Sequence, residues 1–326
     1  ESTATTRSEH SFPNRGGDST ILRVAYLVSE YPALSHTFIK KEIEWLERSG
    51  HEVEIVSVRQ PRNLGVLGQE GQKDRDRTFY LLRACVRGFL PALARLVQKR
   101  ANLQCMFSTW LRVVRKRPYA LSSYAYGVEA MVLVAWMLRH GIEHTHNHFG
   151  NAAGTVARIA GASHLVTYSL SIHGPDIFYD VEDELLPLKL SSCKFARAIS
   201  HYCRSQMCLQ TEAKHWPRFE IVRCGIDPKQ FSVREEPKND CFRILCVGRL
   251  VAAKGQSVLL EAAGEMRDRG ERFDLVFVGT GPDEESLKKQ VVANDLDEYV
   301  SFTGGLDPIG VRDQYAKADL FVLPSF

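Results

Sequence analysis

Short runs of aliphatic and β-branched residues alternate with segments of helical period along almost the whole chain. Strand-like runs are expected at 21–28, 53–58, 142–149, 164–169, 195–200 and 219–222. Helix-period segments lie between them at 37–48, about 76–117, 124–139, 152–160, 185–191 and 202–214. After residue 241 the alternation restarts, with strands at 242–247, 273–278, 300–302 and 320–323 and helices at 256–269, 283–292 and 309–317. Parallel strands cannot be joined by a tight turn and need a crossover helix. The pattern therefore predicts an α/β protein with parallel sheets covered by helices. Residues 223–241 hold Gly225, Pro228, Pro237 and Asn239, mixed charge and little period, the composition of a connection between domains. The expected organisation is a disordered polar tail at 1–20, one domain at 21–222, a linker at 223–241 and a second domain at 242–326.

At 44% hydrophobic and 25% charged residues, the chain has a globular composition, which excludes a disordered or disulfide-scaffold protein. No uninterrupted apolar run reaches the roughly 18 residues that a membrane span needs, so none is expected. Residues 1–20 are polar and lack the apolar stretch of a secretory leader. The eight cysteines form no Cys-x-x-Cys pair, which suggests small buried side chains in a reducing compartment. A cytoplasmic location is expected on these grounds.

The formal charge of +3 hides an asymmetry. Residues 77–128 contain ten Lys and Arg and no Asp or Glu, so +3 is the balance of +10 there and −7 elsewhere. Leu82, Val86, Phe89, Leu93, Phe107 and Trp110 interleave with these cations at helical spacing. Such a basic amphipathic insert can lie on an anionic membrane face. The plainer reading is a solvated face on ordinary core helices. Bulky aliphatics, with no recognisable nucleic-acid module, argue against nucleic-acid binding.

The loop that follows the first strand of the second domain reads Val247-Gly248-Arg249-Leu250-Val251-Ala252-Ala253-Lys254-Gly255 and opens a helix. A helix start presents free backbone N–H groups and a positive dipole end. Arg249 and Lys254 add two cations, and the next acid is Glu261, about two turns on. This is a diphosphate environment, although a tight strand–helix turn with exposed basic residues would read the same way. Neither the triphosphate-loop order nor the dinucleotide fingerprint is present, which counts against a nicotinamide oxidoreductase. The comparable loop Gly279-Thr280-Gly281-Pro282 leads into Asp283, Glu284 and Glu285, whose carboxylates would repel a phosphate.

Val-Gly-Arg-Leu with Lys254-Gly255, then Phe277-Val278-Gly279-Thr280-Gly281-Pro282, Val300-Ser301-Phe302-Thr303-Gly304 and Ala318-Asp319-Leu320-Phe321-Val322-Leu323-Pro324-Ser325 together resemble the second domain of a family 4 retaining glycosyltransferase. Upstream, Tyr31-Pro32-Ala33-Leu34-Ser35-His36-Thr37-Phe38-Ile39 with Glu42-Ile43 resembles the start of members that serve exopolysaccharide and colanic-acid synthesis. His146-Asn147-His148-Phe149-Gly150, the run from Ser171 to Phe178 and Cys224-Gly225-Ile226-Asp227 are similar to further motifs.

The resemblance implies a GT-B fold of two facing Rossmann-like domains with a UDP- or GDP-sugar between them as substrate. No cofactor and no metal ion are implied, because the basic pair replaces the cation. Arg249 and Lys254 would bind the donor diphosphate and stabilise its charge as it leaves, and His173 would face the donor sugar near its reacting end. Gly248, Gly255, Gly279, Gly281 and Gly304 would line the donor side. Ser35, Thr37, His148 and Asp176 would form the acceptor side, toward a glycan or lipid-linked acceptor. The implied location is the cytoplasm, peripheral to the inner membrane face.

Two departures from the family stand out. His36 occupies a place often taken by Glu, and the Glu-x7-Glu segment that binds sugar and ribose hydroxyls would follow Phe326. The second domain is therefore expected to be incomplete and these 326 residues to transfer sugar poorly. A non-catalytic nucleotide-sugar binder or membrane-surface partner remains the alternative. His144, His146 and His148 point to one strand face. Three imidazoles can bind zinc, but no carboxylate or cysteine lies at a supporting spacing, so a hydrogen-bonded role is expected.

Overall fold

A computed structural model of the chain describes residues 21–33, 36–61, 68–178, 181, 185–231 and 241–325. The tail at 1–20, Ser35 and residues 232–240 of the expected linker lie outside the described residues. The described residues form two compact units, one within 21–62 and 73–224, the other within 225–325 together with 68–72.

In the first unit β1 (Arg23–Glu30), α1 (Thr37–Arg48) and β2 (Glu52–Arg59) are followed by α2 (Gly68–Arg77), of which residues 73–77 belong to this unit, and the two-residue β3 (Phe79–Tyr80). Three long helices come next: α3 (Leu81–Val97), α4 (Arg100–Lys116) and α5 (Leu121–Arg139). The alternation resumes with β4 (His144–His148), α6 (Ala152–Gly161), β5 (Thr167–Ile172), α7 (Gly174–Phe178), α8 (Leu186–Ser192), β6 (Ala196–Ala198), α9 (His201–Leu209) and β7 (Phe219–Ile221). The seven strands are parallel in the order β3-β2-β1-β4-β5-β6-β7. Leu27, Val56 and Leu170 are fully buried in this sheet, each contributing about 1.5–3 kcal/mol of transfer free energy. The order reverses between β1 and β4, where ligands of such sheets settle beyond the carboxyl ends of the strands.

The helical region expected at about 76–117 holds two helices, α3 and α4, preceded by α2 and β3. The sequence of α2, GQEGQKDRDR, has no apolar period to betray it. The strand expected at 164–169 starts later, at Thr167, because His164 turns through the left-handed region (φ 55°) after α6. The helix expected to reach 214 ends at Leu209: Trp216 Nε1 donates to the Cys208 and Thr211 carbonyls at 3.1 and 3.2 Å and closes that end. One helix among the described residues, α5, is long and apolar enough by length and composition to span a bilayer, although Glu129 interrupts its apolar run. It is 61% buried over its apolar window and packs against α3, α4 and α6 as the core helix of this unit. The eight cysteines are free, but only Cys193, Cys203 and Cys246 are buried.

The second unit holds β8 (Phe242–Val247), α10 (Gln256–Asp268), β9 (Phe273–Val278), α11 (Glu284–Ala293), β10 (Val300–Phe302), α12 (Pro308–Lys317) and β11 (Leu320–Phe321). Its strands are parallel in the order β10-β9-β8-β11. Leu260, Leu275 and Phe277 are buried at its centre.

Candidate functional site

At the switch between β1 and β4, register places Tyr26 beside His146. Helix α1 buries Ile39 and Ile43, and Glu42 lies one turn after Ile39 and next to Ile43, on the side of the helix that faces the sheet. The Tyr26 hydroxyl donates to Glu42 Oε1 at 2.8 Å. Arg197, in the middle of β6, donates through Nη1 to Glu42 Oε2 and through Nε to the Val222 carbonyl at 2.8 Å. His148 Nε2 and His146 Nε2 stand 3.7 and 4.0 Å from Glu42 Oε1. His148 Nδ1 faces His173 Nε2 at 3.3 Å.

His173 follows β5 and is held from three sides. Its backbone N–H donates to Asp176 Oδ2 at 2.9 Å, and the rings of Phe38 and Phe149 lie 4.8 and 4.7 Å from its imidazole. Phe149 is there because the chain leaves β4 in the left-handed region (φ 71°), a strained conformation for an aromatic residue and a frequent mark of a functional site. The buried ammonium of Lys189 fixes this turn by donating to the Gly150 and Asn151 carbonyls.

Burial dominates the electrostatics. It pushes the His173 imidazole down to about 3 and His36 down to about 4, with His148 nearby adding to both shifts. It also drives His146 well below its ordinary value. Burial would raise the Glu42 carboxyl, but the hydrogen bond and charge of His148, with His146 and Arg197, outweigh it and hold the carboxyl well below the usual carboxylate range. At neutral pH Glu42 and Arg197 thus form an ionised pair, with neutral imidazoles at His146 and His173 close by.

Glu42, His146 and His148 offer three ligand atoms within 4.8 Å of one another, a spacing that a metal ion could bridge. The expected absence of a supporting carboxylate is thereby corrected: Glu42 arrives from another element, beyond the reach of strand spacing. His144 stands apart, its ring nitrogens 2.7 Å from the Thr167 and Ser169 hydroxyls. The His146 nitrogens are taken up similarly by Ser169 and Ser171, at 2.7 and 2.8 Å. Arg197 already supplies the positive charge at Glu42, so the donor set fits an ion-pair cluster better than a cation.

In the second unit, the loop after β8 turns through a short 3-10 segment, Ala252–Lys254, and Gly255 opens α10. No side chain caps α10 and no acid lies in its first turn. Helix α11 carries Glu284 and Glu285 there, and α12 is capped by Asp307. The side chains of Arg249 and Lys254 make no ion pair among the described residues. Gln256, buried, donates through Nε2 to the Arg249 carbonyl at 2.9 Å and fixes the loop.

Three of the glycines expected on the donor side make close backbone approaches. Gly255 has φ 68°, and a Cβ there would stand 1.9 Å from the Pro324 carbonyl oxygen. Cβ atoms at Gly279 and Gly281 would stand 2.0 Å from the Gly248 and Leu250 carbonyl oxygens. These three glycines let the loops of the second unit close on one another. Gly248 is different: its Cβ direction meets nothing nearer than 3.6 Å, which leaves its backbone open to approach. Gly304 has φ 72° and accepts the Gly279 N–H at 2.9 Å.

Of the expected acceptor-side residues, His148 is buried and joined to His173, while Asp176 positions the His173 backbone. Thr37 is the exposed first residue of α1, and Ser35 lies outside the described residues. Sequence reasoning did not single out Tyr26, Glu42, Arg197 or Gln256 as a site. Signals existed for two of them: a carboxylate on the apolar face of α1, and an arginine between two alanines in a strand buried on both faces.

Residues 241–326 match the family model described as Glycosyl transferases group 1. The chain is 22% identical over 318 residues to the amylovoran biosynthesis glycosyltransferase AmsK of Erwinia amylovora, covering 93% of this chain and 75% of that protein. It is 27% identical over 197 residues to a GDP-mannose-dependent alpha-(1-6)-phosphatidylinositol monomannoside mannosyltransferase of Mycolicibacterium smegmatis, covering 54% and 49%. Among solved structures, the fold is similar to that of sucrose-phosphate synthase from Thermosynechococcus elongatus (TM-score 0.64, 16% identity, 93% of this chain and 75% of that one).

Proposed function

We propose that this chain, which carries a group 1 glycosyltransferase domain over residues 241–326 on a GT-B fold, moves a sugar from a UDP- or GDP-sugar to a glycan or lipid-linked acceptor. The observation that carries the reading is the pair Arg249 and Lys254, without an ion-pair partner among the described residues, at the start of α10, which no side chain caps and whose first turn holds no acid. Two cations and a ring of free N–H groups match a diphosphate. They also stabilise the charge that grows on it as the glycosidic bond breaks.

In the retaining reaction proposed, the acceptor oxygen attacks the anomeric carbon from the face the diphosphate leaves. Its proton passes to a departing phosphate oxygen, so no protein nucleophile is required. His173, neutral and oriented by Asp176, Phe38 and Phe149, serves as a hydrogen-bonding group for the donor sugar. The name of the Erwinia relative supports a role in exopolysaccharide assembly, and that of the mycobacterial relative supports a lipid-linked acceptor. The enzyme would act without a metal in the cytoplasm, held at the membrane by the basic helices α3 and α4.

Calorimetric titration with UDP, GDP, their sugars and NADH tests the donor site. A uridine or guanosine diphosphate should bind, and Arg249→Ala and Lys254→Ala should each weaken it about ten- to a hundredfold, the loss of a charge-assisted contact. Unchanged affinity in both variants, or binding of NADH alone, would remove the assignment.

A further inference from the structure

Helices α3, α4, α5 and α6 enclose a cavity of about 410 Å³, in the size range of a small-molecule pocket. Leu93 of α3, Met106, Phe107 and Trp110 of α4, Met131 of α5 and Ile159 of α6 line it, and Gln104 is its one polar side chain. Met106 is buried whereas Phe107 is 55% exposed, so the cavity runs from the core to the surface. One wall is rigid: the Trp110 indole lies flat against Gly127, where a Cβ would meet it at 2.2 Å, and its Nε1 donates to the Ser123 carbonyl at 2.8 Å. No polar network waits inside for a nucleotide or sugar.

The surroundings have one sign. Arg83, Arg87 and Arg95 on α3, Lys99 between the helices, and Arg100, Arg112, Arg115 and Lys116 on α4 are exposed, and none has an ion-pair partner among the described residues. Exposed aliphatics share their helix, with Val86 84% and Leu90 73% exposed. On α6, next to Ile159, Arg158 is buried with Nη1 unpartnered, and Arg112 repels it across the α4–α6 contact. Cations without counter-ions beside an apolar hole match a molecule that is anionic at one end and aliphatic at the other.

We propose that the cavity takes the aliphatic chain of an anionic lipid whose phosphate is met by the basic residues of α4. A single buried chain binds a surface only marginally, and clustered cations supply the second attraction that makes such binding stable. This goes beyond sugar transfer and stands without it, because chain binding is read independently of turnover.

Monododecyl phosphate, below its micellar concentration, is titrated into the full chain, with inorganic phosphate and dodecyl maltoside as comparison ligands. The amphiphile should bind at least tenfold tighter than either. Leu103→Trp and Met131→Trp, which fill the cavity, should each weaken it at least tenfold while circular dichroism and UDP binding stay unchanged. Arg112→Glu with Arg115→Glu should reduce its affinity to that of dodecyl maltoside. A dodecyl phosphate brominated at the chain end should quench wild-type tryptophan fluorescence, and Trp110→Phe should abolish the quenching; this arm needs no cavity-filling variant. No binding of monododecyl phosphate, full binding by both filled variants, or quenching that persists in Trp110→Phe would overturn the proposal. Binding of polyglutamate in place of the amphiphile would assign the face to an acidic protein and overturn it equally.

Discussion

Glu42 shows how much of a residue's role depends on distant partners. In sequence it is an acid on the apolar side of α1, an unfavourable place unless something meets it. Arg197, 155 positions away, meets it, and Tyr26 donates to its other oxygen. Removing the carboxylate leaves a guanidinium that is only 7% exposed without its counter-ion. Glu42→Gln should therefore cost about 3 kcal/mol in urea unfolding; a loss below about 1 kcal/mol would show that the pair is dispensable. The histidines around it carry a pH signature. His146 and His173 are neutral in the folded protein but titrate near 6.5 when unfolded. Their stabilising contribution is present above pH 6.5 and is lost as the pH falls toward about 3 for His173. Each should lower stability by up to about 1.4 kcal/mol per pH unit in that window. Thermal unfolding of His173→Gln should have a shallower acid limb than wild type, and parallel limbs would contradict the burial argument. None of these partnerships follows from spacing, because α1, β4, β5 and β6 converge only when the sheet forms.

Elements were more legible than residues. Strands β8, β9 and β10 lie where the aliphatic runs predict them, at Phe242–Val247, Phe273–Val278 and Val300–Phe302, and the buried stretches 244–246 and 275–278 are the apolar runs that a strand covered on both faces needs. Helix α1 likewise spans Thr37–Arg48 as its period indicates. Elements without that signature escaped: α2 is polar throughout, and β3 has only two residues. The donor-side loop was legible as a strand-to-helix turn with two cations, but the reason for Gly255 was not. It lies in the packing against Pro324, far along the chain. Gly255→Ala should cost at least about 1–2 kcal/mol from the left-handed backbone alone, and more as the Pro324 carbonyl is forced aside. A melting temperature unchanged from wild type would mean that the second unit tolerates the side chain.

Across the whole molecule the charge is partitioned, with +10 in residues 77–128 against −7 elsewhere. The proposed peripheral attachment predicts flotation with anionic vesicles in 0.1 M salt and release at about 1 M, where screening shortens to roughly 3 Å. Recovery with neutral vesicles to the same extent would refute an electrostatic attachment. That charge stretch, the alternation of strands and helices, and the two-unit organisation are properties of local composition and period, and the sequence alone determined them. Tertiary structure decided which side chains meet. It brought Glu42 to Arg197 and the histidines, closed the glycine loops of the second unit on one another, and left a cavity beneath the basic helices. Periodicity reports which face of an element is buried, whereas contacts between elements depend on sheet order, register and helix packing, which no local pattern encodes.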